Sequence, residues 1–206
     1  IADPARFDLR GTLEFGQDVA VDINVCFEGD VKLGNRVIIG PNVVIRNSSI
    51  GDDSIIEAFS HIDETQLADH CSIGPYARLR PGTTADSGAK IGNFVETKKT
   101  HIGVNSKINH LSYVGDAHLG KDVNIGAGTI TCNYDGVNKN ITQIKDGAFI
   151  GSNSSLIAPV TIGENATIGA GSTITKEAAA ECLTLTRAPQ KTLSHWRRPS
   201  KRDKKS

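Results

Sequence analysis

Thirteen glycines in this chain directly follow Ile, Leu, Val or Phe, and the pairs fall on a ladder of six-residue steps. The ladder starts at Phe15-Gly16, passes through Leu33-Gly34, Ile39-Gly40 and Ile50-Gly51, and is still running at Ile162-Gly163 and Ile168-Gly169. Its first rungs are Phe15, Val21, Phe27, Leu33, Ile39, Ile45, Ile50, Ile56, Ile62, Leu67, Ile73 and Leu79. Ala85, Ile91, Thr97, Ile102, Ile108, Val114, Leu119, Ile125 and Thr131 follow, and after a gap Ile144, Ile150, Leu156, Ile162, Ile168 and Ile174. A fixed hexapeptide period is the signature of a parallel β-helix. In such a solenoid each coil buries its apolar rungs only under the next coil.

The steps shorten to five residues at Ile45→Ile50, Ile62→Leu67, Thr97→Ile102 and Val114→Leu119. Three steps therefore make one triangular coil of seventeen or eighteen residues, and the ladder gives about nine coils. Most rungs are β-branched or other strand-forming residues, and 5% aromatic residues suit a thin aliphatic core. Glycine after the rung is read as the corner residue, where the backbone needs positive φ. The expected organisation is a connecting segment over residues 1–12, a solenoid over 13–176 and a C-terminal segment over 177–206.

The net charge is zero, which favours neither a nucleic-acid nor a membrane partner. Residues 197–206 nevertheless carry six cations against Asp203 and read as a basic, solvated tail. Cys26, Cys71, Cys132 and Cys182 share no CxxC spacing, and no leader or apolar span precedes them, so a reduced, cytoplasmic protein is expected. The six histidines are scattered, and no metal site is expected. The chain has no methionine and starts in mid-phrase at Ile1-Ala2-Asp3-Pro4, so it reads as a piece of a longer protein.

Function is sought where the repeat breaks. The step from Thr131 to Ile144 is thirteen residues and encloses a polar insertion over 132–143, a sensible place for ligand contacts on a regular scaffold. Just before it, His110 stands two residues past rung Ile108, on a wall or corner and not in the core. Coil stacking is expected to gather Arg80, Lys98, His110, Tyr113 and Asn124 into one patch, with Glu96 close to Lys98. Two cations, a phenol and a carboxamide suit a small phosphorylated, hydroxylated ligand. Histidine is the side chain suited to proton removal near neutral pH.

Several long phrases carry a further likeness: Gly74-Pro-Tyr-Ala-Arg-Leu-Arg-Pro-Gly82, Gly92-Asn-Phe-Val-Glu-Thr-Lys-Lys99, Asn124-Ile-Gly-Ala-Gly-Thr-Ile-Thr-Cys-Asn-Tyr-Asp-Gly136 and Trp196-Arg-Arg-Pro199. With Asp3-Pro-Ala-Arg-Phe-Asp-Leu-Arg-Gly11 they closely resemble the C-terminal acetyltransferase domain of the bacterial bifunctional N-acetylglucosamine-1-phosphate uridylyltransferase/glucosamine-1-phosphate N-acetyltransferase family. No Gly-rich nucleotide loop precedes Ile1, so the uridylyltransferase half is expected to be absent. The resemblance implies an all-β fold, a left-handed parallel β-helix with an inserted loop. It also implies transfer of acetyl from acetyl-CoA to the 2-amino group of glucosamine 1-phosphate, feeding UDP-N-acetylglucosamine synthesis.

By resemblance, His110 is the general base and Glu96 its orienter. Arg80 and Lys98 hold the sugar phosphate, Tyr113 and Asn124 contact the sugar, and Lys139 reaches an adjacent subunit's site. Ala127, Asn133, Tyr134, Ser152, Ala170 and Arg187 lie on the acetyl-CoA side, with a backbone N–H near Ser152 for the oxyanion. The family implies a homotrimer with active sites between subunits. Two rivals remain: another hexapeptide acyltransferase with a different donor or acceptor, and a non-catalytic trimerisation module.

Overall fold

The structure is a computed structural model that describes residues 1–198; most of the basic tail expected over 197–206 lies outside the described residues. After one short 3-10 turn at Pro4–Arg6, strands of two to nine residues follow one another from Phe7 to Thr184, on both sides of the 13–176 span. Strand pairs are parallel, as a solenoid requires, and the insertion supplies an antiparallel bridge between Tyr134 and Lys139. One wall is a sheet of ten strands, one per coil, so the described chain makes ten turns against about nine counted from the rungs. The other two walls merge into a fifteen-stranded sheet, because strands such as Glu96–Ile102 and Tyr113–Leu119 run on through the corner between them. Those two strands carry five-residue steps of the ladder. Among the described residues no helix is long and apolar enough to cross a membrane.

Every rung from Val21 to Ile174 is buried, while Phe15, in the terminal stacked strand, remains 66% exposed. A second inward column stands two residues before each rung and holds small residues such as Val25, Ser54, Cys71, Ala89, Ser106 and Ala148. Its hydroxyls satisfy backbone groups between coils: Ser106 Oγ donates to Gly120 O at 2.7 Å and accepts from Val123 N at 2.9 Å. Such bonds let a polar residue occupy the core without leaving a buried donor unmade.

Apart from Gly74 (φ 100°), the glycines after the rungs do not serve the purpose expected of them. The corner residue in left-handed backbone lies three positions past the rung, or two where the step is five, and is typically Asn or Asp: Asn42 (φ 59°), Asp53 (φ 57°), Asn105 (φ 57°) and Asp116 (φ 46°). Short side chains that bond locally tolerate this region best. The glycine directly after the rung instead makes room for the next coil. A Cβ on Gly34 would lie 2.2 Å from Asp52 Oδ1, and that oxygen accepts from Asn35 N at 2.8 Å. Gly120 stands in the same relation to Asp146, whose Oδ1 accepts from Lys121 N at 3.0 Å.

The rungs supply the cohesion. Ile56 is fully buried between Ile39 and Ile73 in register, far along the solenoid from His110. Truncating a buried isoleucine removes its transfer energy and leaves a cavity, so Ile56→Ala should cost about 2–5 kcal/mol. Urea unfolding checks this, and an unchanged midpoint would show that the rung does not bear the packing load.

Candidate active site

Two groups of polar residues face solvent around one corner of the solenoid. The first is a column at the corner itself. His110 ends the strand Lys107–His110 and pairs in register with Asn93, the last residue of Lys90–Asn93 one coil away. Next to them the chain turns at Leu111 (φ 49°), whose N–H donates to Asn93 O at 3.1 Å. The His110 ring is exposed and its Nδ1 lies 2.7 Å from Asn93 Oδ1. On successive coils beyond His110, the same station is taken by Ala127, Ser152 and Ala170, and Arg187 Nη1 donates to Ala170 O at 3.1 Å. Gly126 and Gly151 allow this close stacking: a Cβ on either would lie 2.6 Å from Ser152 N or 2.5 Å from Ala170 N. With strands about 4.8 Å apart, Arg187 stands four coils and roughly 19 Å along the axis from His110.

The second group lies on the adjoining wall. Arg80 Nη1 bonds Glu96 Oε1 at 2.8 Å, and Arg78 approaches the other carboxylate oxygen at 3.6 Å. Lys98 follows on the same strand as Glu96 and pairs in register with Gly115. The Tyr113 ring folds over Gly115, where an added Cβ would come within 2.4 Å of the phenol oxygen. The insertion returns to this wall. Tyr134 bridges Lys139, and Asn133 Nδ2 donates to the Asp116 carboxylate. The Lys139 ammonium beside Lys98, with Arg80 behind it, holds Lys98 below the usual lysine range. Like charges gathered in this way bind an anion well, because an incoming phosphate relieves their repulsion.

Within one chain the expected site residues fall into separate groups. Glu96 does not orient His110; its carboxylate is engaged by Arg80 and Arg78, and the imidazole is met by Asn93. Asn124 does not join the Arg80–Lys98 wall. It pairs with Lys107 and Phe149 on the ten-stranded sheet and lines a shallow cavity with Lys90, Lys107 and Asp122. Lys139 meets Lys98 of its own chain. Asn133 and Tyr134 lie with the cationic wall, away from the column of Ala127, Ser152 and Ala170; Tyr134 is exposed, and its hydroxyl donates to Gly136 O at 2.5 Å. Asn93 carried no role in the sequence reading, although it lies one seventeen-residue step before His110.

Comparisons with known proteins agree with this architecture. The bacterial transferase hexapeptide (six repeats) family matches residues 14–47 and 141–176. The bifunctional protein GlmU of Pseudoalteromonas atlantica is 56% identical over 201 residues, covering 98% of this chain and 44% of the relative. The GlmU proteins of Idiomarina loihiensis and Acidithiobacillus ferrooxidans are 59% and 58% identical, over 97% and 100% of this chain and 44% and 45% of theirs. The chain thus spans a little under half the length of these curated relatives. Among solved structures, Arabidopsis UDP-N-acetylglucosamine acyltransferase has a TM-score of 0.66 at 19% identity, over 89% of this chain and 70% of that one. The Bacteroides fragilis acyltransferase LpxA has a TM-score of 0.59 at 16% identity, with the same coverage. Both share the solenoid fold.

Proposed function

The chain belongs to the GlmU family, and on that premise we propose that it is an acetyltransferase moving acetyl from acetyl-CoA to the 2-amino group of glucosamine 1-phosphate. The observation that carries the reading is the corner column. An exposed imidazole, tied at Nδ1, stands at one end of a line of small residues, and an arginine stands at the other. An extended pantetheine arm fits such a line, with its phosphates toward Arg187 and its thioester beside His110. Arg80, Lys98 and Lys139 supply the charge that a sugar phosphate needs around the corner.

In this mechanism the sugar nitrogen attacks the thioester carbonyl carbon while His110 Nε2 takes a proton from the amine. The N–C bond forms, and a backbone N–H near Ser152 steadies the oxyanion of the tetrahedral intermediate. As the C–S bond breaks, the imidazolium returns the proton to the leaving thiolate, giving the amide and free CoA. Glu96 keeps the Arg80 guanidinium aimed along the wall. Tyr113 contacts the sugar. Asn124 stands on a different wall of the same chain, and a symmetric trimer, with sites between copies, gives it and the insertion's Asn133 and Tyr134 a place at a neighbour's substrate.

A thiol-release assay with acetyl-CoA tests the reading. Turnover is expected with glucosamine 1-phosphate and not with glucosamine 6-phosphate or free glucosamine. Turnover with none of them would leave the non-catalytic module as the better account.

A further inference from the structure

We propose that Asn93 is a positioning residue that fixes the tautomer of His110, holding the ring proton on Nδ1 and leaving the Nε2 lone pair free. This deepens the acetyl-transfer reading and rests on it for its kinetic arm only. Asn93 Oδ1 lies 2.7 Å from His110 Nδ1, and a carboxamide oxygen can only accept, so the nitrogen facing it carries the hydrogen. The two residues are an in-register pair on neighbouring strands, which sets their separation by the coil spacing. The coils also approach closely here: a Cβ on Gly92 would lie 2.0 Å from Asn109 O. The Leu111 N–H to Asn93 O bond pins the backbone on the other side.

Glu96, the first acidic residue after Asn93 in the chain, is engaged by Arg80 and Arg78. The neighbours of His110 at the same station on adjoining coils, Asn93 and Ala127, are uncharged; Lys107 is on its own strand, and Tyr113 opens the next one. The partner is therefore a neutral acceptor, which aims the ring without adding a charge beside it. When the ring takes the substrate proton it becomes an imidazolium. The same Nδ1–H bond then belongs to a charged donor and strengthens, so Asn93 acts more on the transition state than on the ground state.

The test needs a readout that does not depend on turnover. In ¹⁵N spectra of the full chain with labelled histidine, taken where the ring is neutral, His110 is identified by the signals lost in His110→Ala. It should show a pyrrole-type Nδ1 and a pyridine-type Nε2. In Asn93→Ala those signals should move toward the mixture seen for free histidine. A pyridine-type Nδ1 in the unaltered protein would mean that the amide is turned, with its NH₂ donating, and would overturn the proposal. So would a tautomer unmoved by Asn93→Ala.

In kinetics, Asn93→Ala should lower kcat roughly 10- to 100-fold with little change in either KM, in keeping with a hydrogen bond to a charged group. Asn93→Asp keeps the acceptor and should recover most of kcat. Its carboxylate favours the imidazolium, so the base stays protonated to higher pH and the acid limb of the kcat profile should move up. An Asn93→Asp profile that superimposes on the original would also count against the assignment. Absence of turnover in every variant, with the expected tautomer intact, would fault the acetyl-transfer reading and not this one.

Discussion

Replacing His110 by alanine should cut acetyl transfer roughly 10²–10⁴-fold, the range a positioned general acid–base group commands. On the proposed mechanism the loss should fall on kcat, because the exposed side chain would take the amine's proton without anchoring either substrate. The solenoid should not notice: the residue at this station packs nothing, and rung Ile108 two positions earlier remains buried. Equal melting temperatures and equal oligomer size would confine the effect to chemistry. A variant that turns over at the original rate would remove His110 from the mechanism and leave the corner column as a binding groove alone.

The second large effect concerns the phosphate. On the proposed reading Arg80→Ala and Lys98→Ala should each raise the KM for glucosamine 1-phosphate roughly 10- to 100-fold, since each would remove a charge-assisted contact to the anion. The KM for acetyl-CoA should stay as it was. Lys98 also gives the effect a pH signature. Its ammonium is disfavoured by the Lys139 ammonium and by Arg80, so it loses its proton at lower pH than an ordinary lysine. Phosphate affinity is full below that lowered pKa and falls as pH rises through it. Lys139→Ala removes the main cause, and the alkaline fall in affinity should shift upward toward the ordinary lysine range. A fall that stays in place would mean that the two ammonium groups are not neighbours in solution.

Much of this was readable from the residues. Every rung named from the ladder between Val21 and Ile174 is buried, because a period of six leaves no freedom about which side chains point inward. The small column two residues before each rung obeys the same period but mixes Val, Ala, Ser, Thr and Cys, so no single chemistry announces it. The glycines after the rungs are regular in position, yet their purpose does not show in the sequence. Composition cannot separate a residue that needs positive φ from one that must leave room for Asp52 or Asp146 on the next coil. Asn124 stands on a different wall from Arg80 and Lys98, and the ladder holds the distinction: Leu79, Thr97 and Val114 are rungs of one wall, whereas Ile91, Ile108 and Ile125 are rungs of another. The same distinction separates Glu96, on the wall it shares with Arg80, from His110, which ends a strand of the ten-stranded sheet.

The ladder also has a mechanical consequence. Hydrogen bonds between coils run along the axis, so a load applied to the two ends would peel the molecule one coil at a time and not break it all at once. Successive strands of the ten-stranded wall are spaced by 17 residues from Lys107 to Asn124, by 18 from Ser72 to Lys90, and by 25 from Asn124 to Phe149 across the insertion. At about 3.4 Å per extended residue, a force–extension trace would be a staircase of near-equal treads of roughly 60 Å, broken by one of roughly 85 Å. That long tread would mark, from outside, the coil that carries the insertion.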